Sequence, residues 1–170
     1  LYNNRGNITV DQSNFDGNSA FLSGGAVYSR GSNLRVTKSY FTKCTSPEGG
    51  VISVLNGSTV YIFNNTFTEN GGGSILSDKG GVFYAETELG RSEGAFIDFG
   101  FNTIVNNSIS GTVNTNAAAV EIYNESSVYL TANIIMKNNA RDLYVNKQYQ
   151  LEGGNFIEKI TEGSVSPIEN

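Results

Sequence analysis

The sequence predicts an all-β fold, a parallel solenoid of about five coils, and three observations lead there. Composition favours strand and turn over helix: the 170 residues include 20 Gly, 10 Phe and 9 Tyr but only 2 Pro, and 16% are charged, against about 25% in an ordinary globular chain. A pattern with fixed internal spacing recurs five times. After each occurrence comes a second pattern, in which small residues lead into a short alternating apolar segment.

The first pattern is an apolar-x-apolar pair, then an aromatic or aliphatic residue five positions on, then Asn three further. It reads Ile8, Val10, Phe15, Asn18; Leu34, Val36, Phe41, Cys44; Val60, Ile62, Phe67, Asn70; Ile97, Phe99, Ile104, Asn107; and Val128, Leu130, Ile135, Asn138. Measured at the Phe15 column, successive repeats are 26, 26, 37 and 31 residues long, while the internal offsets never change. Insertions are therefore confined to one stretch of each repeat, which marks that stretch as loop. Side chains alternate across a strand, so the apolar pair faces inward and the residue between its members, Thr9, Arg35, Tyr61, Asp98 or Tyr129, faces out.

The second pattern is Gly24-Gly25-Ala26-Val27-Tyr28, Gly49-Gly50-Val51-Ile52-Ser53, Gly80-Gly81-Val82-Phe83-Tyr84, and a version without glycine, Ala117-Ala118-Ala119-Val120-Glu121. The small pair starts a strand. Alternation places Val27, Ile52 with Val54, Phe83, and Val120 with Ile122 inside, and Tyr28, Ser53, Tyr84 and Glu121 outside. Leu143 and Val145 take the inward role in the fifth repeat, with Tyr144 outside.

Short strands of this kind cannot bury their apolar faces singly, so the repeats must stack. Stacking coils at about the 4.8 Å strand spacing aligns like residues in columns. These are the Phe15, Phe41, Phe67, Ile104, Ile135 column and the Asn18, Asn70, Asn107, Asn138 column, which Cys44 interrupts. Asn suits a corner because it tolerates left-handed turns and its amide can bond along a ladder. A β-sandwich also explains short strands, but it predicts no constant offsets over five repeats. The whole chain, 1–170, reads as one β-helical segment.

Phe15-Asp-Gly-Asn18 followed by Gly24-Gly25-Ala26-Val27-Tyr28 resembles the repeat of the polymorphic outer-membrane proteins of chlamydiae and of the related predicted outer-membrane repeat proteins. Asn133 to Val145, with Gly153-Gly154-Asn155-Phe156-Ile157 after it, resembles the last coils of choice-of-anchor β-helix domains of bacterial surface proteins. The resemblance implies a right-handed parallel β-helix of the pectin-lyase-like type, an extracellular or cell-surface setting, and a structural or adhesive role. The sequence departs from the repeat at Cys44, at Gly49-Gly50-Val51 and at Ala117-Ala118-Ala119. Neither end supplies a cap, so the segment is expected to belong to a longer surface protein or to stack end to end with other copies.

Chemistry is sparsely marked. The net charge of −5, with 11 Lys and Arg, disfavours nucleic acid, whose phosphates need concentrated basic residues. No apolar run approaches a membrane span. His is absent, which removes the commonest metal ligand and the usual base of nucleophilic triads. Cys44 has no partner for an internal disulfide. Gly71-Gly72-Gly73-Ser74 lacks the Asp of a calcium-binding nonapeptide, and no cofactor or metal site is expected. Five Asn-x-Ser/Thr sequons occur, at Asn7, Asn56, Asn64, Asn106 and Asn124, close to the number such a composition gives by chance.

Polysaccharide cleavage, the second reading, needs converging carboxylates. The candidates are Asp98 with Glu121, or the insertion bearing Glu86, Glu88, Arg91 and Glu93. No residue is assigned a catalytic role. Binding has better markers: Tyr61 and Tyr129 on one outer face, Tyr28, Tyr84 and Tyr144 on another, join a flat apolar body to a polar tip and suit a glycan or a partner protein. Loops at 85–95 and 108–116 are further display candidates.

Overall fold

The computed structural model describes residues 1–72, 80–87, 96–109, 118–123, 127–139, 141–146, 149–158, 160–162 and 168–169. The Glu88, Arg91 and Glu93 candidates and the greater part of both display loops lie outside them. Among the described residues the chain is β-strand joined by tight corners, and every strand pairing is parallel.

Four sheets run along the stack. Sheet A holds the glycine-led strands Tyr2–Asn4, Val27–Arg30, Ile52–Leu55, Phe83–Glu86, Ala118–Tyr123, Arg141–Val145 and Ile160–Glu162. Sheet B holds the apolar-pair strands Asn7–Asp11, Asn33–Thr37, Thr59–Phe63, Phe96–Gly100, Ser127–Thr131, Gln150–Glu152 and Ile168–Glu169. Sheet C carries the Phe15 column on Asn14–Asp16, Tyr40–Thr42, Thr66–Thr68, Thr103–Val105, Ile134–Met136 and Phe156–Ile157. Sheet D is short, formed by Thr45–Ser46, Gly71–Gly72 and Ser108–Ile109. Successive strands of a sheet come from successive coils. The architecture is therefore a parallel β-helix, as the periodicity predicts.

Every predicted column is in register. Ile8, Leu34, Val60, Ile97 and Val128 pair in turn, as do Phe15, Phe41, Phe67, Ile104 and Ile135. The phenylalanine rings stack face to face, with centroids 4.8 and 4.9 Å apart and planes within 10°, the offset the strand spacing imposes on like rings in one column. Leu143 and Val145 take the inward positions beside Val120 and Ile122. The five-fold pattern also continues further than the sequence reading carried it. Leu151 pairs with Leu130 and Ile157 with Ile135, which makes a further rung.

The corners depend on two polar ladders, of which the sequence reading found one. At the corner after sheet C, the Asn70 amide oxygen accepts from Cys44 N at 2.9 Å, and the Asn107 oxygen accepts from both Asn70 N and Nδ2 at 3.0 Å. Asn138 serves Asn107 in the same way. Each amide nitrogen also donates back to the preceding coil, Asn70 to Phe41 O and Asn107 to Phe67 O, so one side chain ties three rungs. The left-handed backbone expected of these asparagines belongs instead to the residue before each: Gly17, Glu69, Asn106 and Lys137 have φ of 55–66°, as has Lys43 before Cys44 at 53°. That residue makes the turn, which leaves the Asn side chain free to point inward.

An unpredicted second ladder stands between sheets B and C, where Ser39 N donates to Asn65 Oδ1, Asn65 to Asn102 Oδ1, Asn102 to Asn133 Oδ1 and Asn133 to Asn155 Oδ1. Asn65, Asn102 and Asn133 are buried. A buried amide is tolerable only when its donors and acceptors are met, and here the adjoining rungs meet them.

The glycine pair has two separate reasons. Gly49 adopts φ 56°, which L side chains rarely take. Gly50 has an ordinary φ, but a Cβ there would lie 2.2 Å from Gly81 O on the next coil.

Candidate functional site

Two outer faces were predicted to carry functional side chains, and the structure treats them differently. On sheet A, Tyr84 and Glu121 are not outward surface residues. They point away from the core as alternation requires, yet both are buried, as is Ser53. The covering is in part local. The turn at Gly80 lies against the outer side of its own strand, where an added Cβ would meet Tyr84 Cβ at 2.7 Å, and Gly80 N donates to Glu121 Oε2 at 2.6 Å.

The tyrosines of this face are closed onto its acids. Tyr84 OH donates to Glu86 Oε2 at 2.5 Å, and its ring lies 6.1 Å from that of Tyr123, which in turn lies 5.2 Å from Tyr144. Burial, followed by the bond to Glu86, pushes the Tyr84 phenol up; burial and the bond to Glu121 do the same for Tyr123. These phenols stay protonated as donors, and the acids serve as their acceptors. Tyr28 differs from its column neighbours: it is half-buried near the first coil, its ring stacked on Tyr2 at 5.3 Å with planes 3° apart.

Sheet B keeps its outer face accessible. Arg35, Tyr61, Asp98, Tyr129 and Gln150 are in register there on successive coils, so Asp98 stands between the two predicted tyrosines. Between those tyrosines lies a ring that sequence reasoning missed. Phe96, two residues before Asp98 and therefore on the same face, has its centroid 5.8 Å from Tyr61 and 5.5 Å from Tyr129. Tyr61, Phe96, Asp98 and Tyr129 are all half-buried.

A second pair of missed rings extends this surface. Phe63 pairs across to Gly100, where an added Cβ would lie 2.5 Å from the Phe63 ring; the absence of a side chain makes room for the ring beside the neighbouring strand. Phe101, at the corner, is 55% exposed with its ring 6.5 Å from Phe63. The signal was available: alternation about Tyr61 and Asp98 puts positions two before and two after on the same side, which selects Phe63, Phe96 and Gly100.

Asp98 is the acid of this face. Desolvation by its surroundings pushes its carboxyl above the ordinary range, with a smaller push from Glu152. Glu152 is held two coils on by Thr131 Oγ1, which donates to Oε2 at 3.2 Å. Asp98 does not meet Glu121, because one lies on the open side of sheet B and the other beneath the outer cover of sheet A. The pairing considered for acid–base cleavage is not formed. Among the described residues no group of three or more Cys, Asp or Glu side chains is placed to hold a metal ion.

The family model for the right handed beta helix region matches residues 1–158. The chain belongs to the right-handed β-helix family. Its match takes in the five repeats and the further rung, and fixes as right-handed the coil that strand pairing shows to be parallel. Searches of curated proteins and of solved structures each returned no significant match. In this β-helix the aromatic side of sheet B, built on Tyr61, Phe63, Phe96, Asp98, Phe101 and Tyr129, is the candidate site.

Proposed function

We propose that this right-handed β-helix is an extracellular adhesive rod that binds glycan through the outer face of sheet B. The observation that supports this is the run of rings from Tyr61 through Phe96 to Tyr129, with Phe63 beside it, held on one parallel sheet around an acidic side chain. Aromatic faces bury the apolar side of a sugar ring, and a carboxylate accepts from its hydroxyls. The stack fixes these groups beforehand, so little order is lost on binding. A cell-surface or secreted setting follows from the resemblance to outer-membrane repeat proteins.

The test is retention of the purified chain on plant, algal and microbial polysaccharides, with new reducing ends assayed in parallel. Retention that a Tyr61→Ala/Tyr129→Ala variant loses by about tenfold or more, without cleavage, supports the reading. Cleavage abolished by Asp98→Asn would make the site catalytic, and retention unchanged in the double variant would move binding elsewhere.

A second reading, self-association between copies, is favoured by an apolar surface along the flank of the first three coils. Phe21 is 91% and Leu22 70% exposed, and with Tyr2, Tyr28 and Leu55 they border a groove of about 460 Å³. Contiguous exposed apolar surface of this kind marks interaction sites. Sedimentation of the chain and of a Phe21→Ser/Leu22→Ser variant tests it: a concentration-dependent oligomer that the variant abolishes is the expected result, and a monomer at all concentrations sinks it.

A further inference from the structure

Resting on the glycan-binding reading, we infer that the sheet B face takes neutral or amino-bearing sugars and rejects uronate or sulfated ones, with Asp98 and Glu152 as the residues that set this specificity. The register puts Asp98 in the middle of the ring cluster, between Tyr61 and Tyr129 and two residues from Phe96. A sugar seated on any two of these rings therefore brings its edge substituents toward a carboxylate. Glu152, on the row beside Tyr129 and one coil further, supplies a second.

Among the described residues no cation shares the outer positions around them, and Lys38, at the corner beside Phe63, belongs to the second coil, two before that of Asp98. On the outer positions of the strands at Phe96–Gly100, Ser127–Thr131 and Gln150–Glu152, the described side chains are Phe96, Asp98, Ser127, Tyr129, Thr131, Gln150 and Glu152, none of them basic. Arg35 is in the same row, but it lies two coils from Asp98, on the far side of Tyr61. Asp11, beyond Arg35, is held by the Thr37 hydroxyl at 2.5 Å.

The three ligand chemistries then separate. A neutral sugar donates hydroxyl hydrogens to the carboxylates, and a charged acceptor roughly doubles the strength of such bonds. An ammonium group adds ion pairing and attraction to the ring faces. A uronate or sulfate brings like charge to a half-desolvated acid, where repulsion is screened less than in open water, and specificity of this repulsive kind needs no added contact with the accepted ligand.

The experiment compares retention on a neutral β-glucan, chitosan and polygalacturonate at low and moderate salt. The expected result is binding to the first two and about tenfold or more weaker binding to the third. An Asp98→Asn/Glu152→Gln variant should narrow that gap to within about threefold, while a charge-matched Asp16→Asn/Glu69→Gln variant, altered on the sheet C side, should leave it unchanged. Equal binding of polygalacturonate by the unaltered chain would overturn the inference and leave the glycan reading standing. So would a gap that closes equally in both variants, since net charge alone would then explain it. Retention by none of the three would remove the reading and the inference together.

Discussion

Sheets A and B carry the same apolar-polar alternation on either side of the same core, yet at the middle coils the outer face of sheet A is covered and that of sheet B is open. Tyr84 and Glu121 occupy the outward positions of sheet A and are buried; Tyr61, Asp98 and Tyr129 occupy the equivalent positions of sheet B and are only half-buried. Alternation decides which way a side chain points. Whether anything then lies over it depends on neighbouring backbone, here the Gly80 turn, whose N–H finds its acceptor in Glu121. A covered face must satisfy its polar groups internally, whereas an open one can offer them to a ligand.

The largest effect should come from truncation on the covered side. Tyr84→Ala should destabilise the fold by about 3 kcal/mol or more, on the scale of Phe67→Ala in the core column at about 3–5 kcal/mol. Tyr61→Ala on the open side should cost about 1 kcal/mol, most of it the loss of its contact with Phe96. Chemical denaturation of the three variants checks this, and equal costs for the two tyrosines would erase the contrast.

Next is the acid beneath the cover. Glu121→Ala leaves the buried Gly80 N–H without its acceptor, a loss of about 1–3 kcal/mol. Thr131→Ala on sheet B, which removes a solvent-side bond to Glu152, should change stability by no more than about 0.5 kcal/mol.

A smaller gain is expected at the break in the corner ladder. Cys44 Sγ stands 3.7 Å from Phe15 O, the carbonyl that an asparagine amide in that column would bond, and 3.9 Å from Asn18 Nδ2. Cys44→Asn supplies the missing amide and should stabilise by about 1 kcal/mol, read as a raised thermal midpoint. A loss would mean that the corner has no room for it.

These positions show what the sequence disclosed and what it withheld. The repeat of Phe15 and Asn18 predicted the columns and the corner ladder, because each rung imposes the same local spacing on its residues. The second ladder was equally periodic, with Asn65, Asn102 and Asn133 each five residues before a ladder Asn, but polar residues before a turn look like ordinary corner composition until their amides are seen to be buried. Phe63 and Phe96 followed from an alternation already in hand. The cover on Tyr84 and Glu121 did not, since it depends on a turn folding back over its own strand, which no spacing within that strand encodes.

The smallest effect concerns pH, and its sign separates two acids of the same sheet. Asp98 is held above the ordinary carboxyl value of 3.8, chiefly by desolvation and then by Glu152, so its ionised form weighs against the fold. That penalty is fully present above its raised folded value and fades as pH falls toward 3.8, below which both states are protonated. Asp98→Asn should therefore raise the thermal midpoint slightly near neutrality, and the difference should close on acidification. Asp11 runs the other way: the bond from Thr37 Oγ1, acting against burial, holds it below 3.8, so its contribution is present above that value and is lost as pH falls through its lowered one. Asp11→Asn should lower the midpoint near neutrality and converge with the unaltered chain in acid. Thermal scans of both variants from pH 7 to pH 3 test the pair. Shifts of the same sign would mean that the ring cluster does not desolvate Asp98, and that its carboxylate meets a ligand with the ordinary screening of open surface.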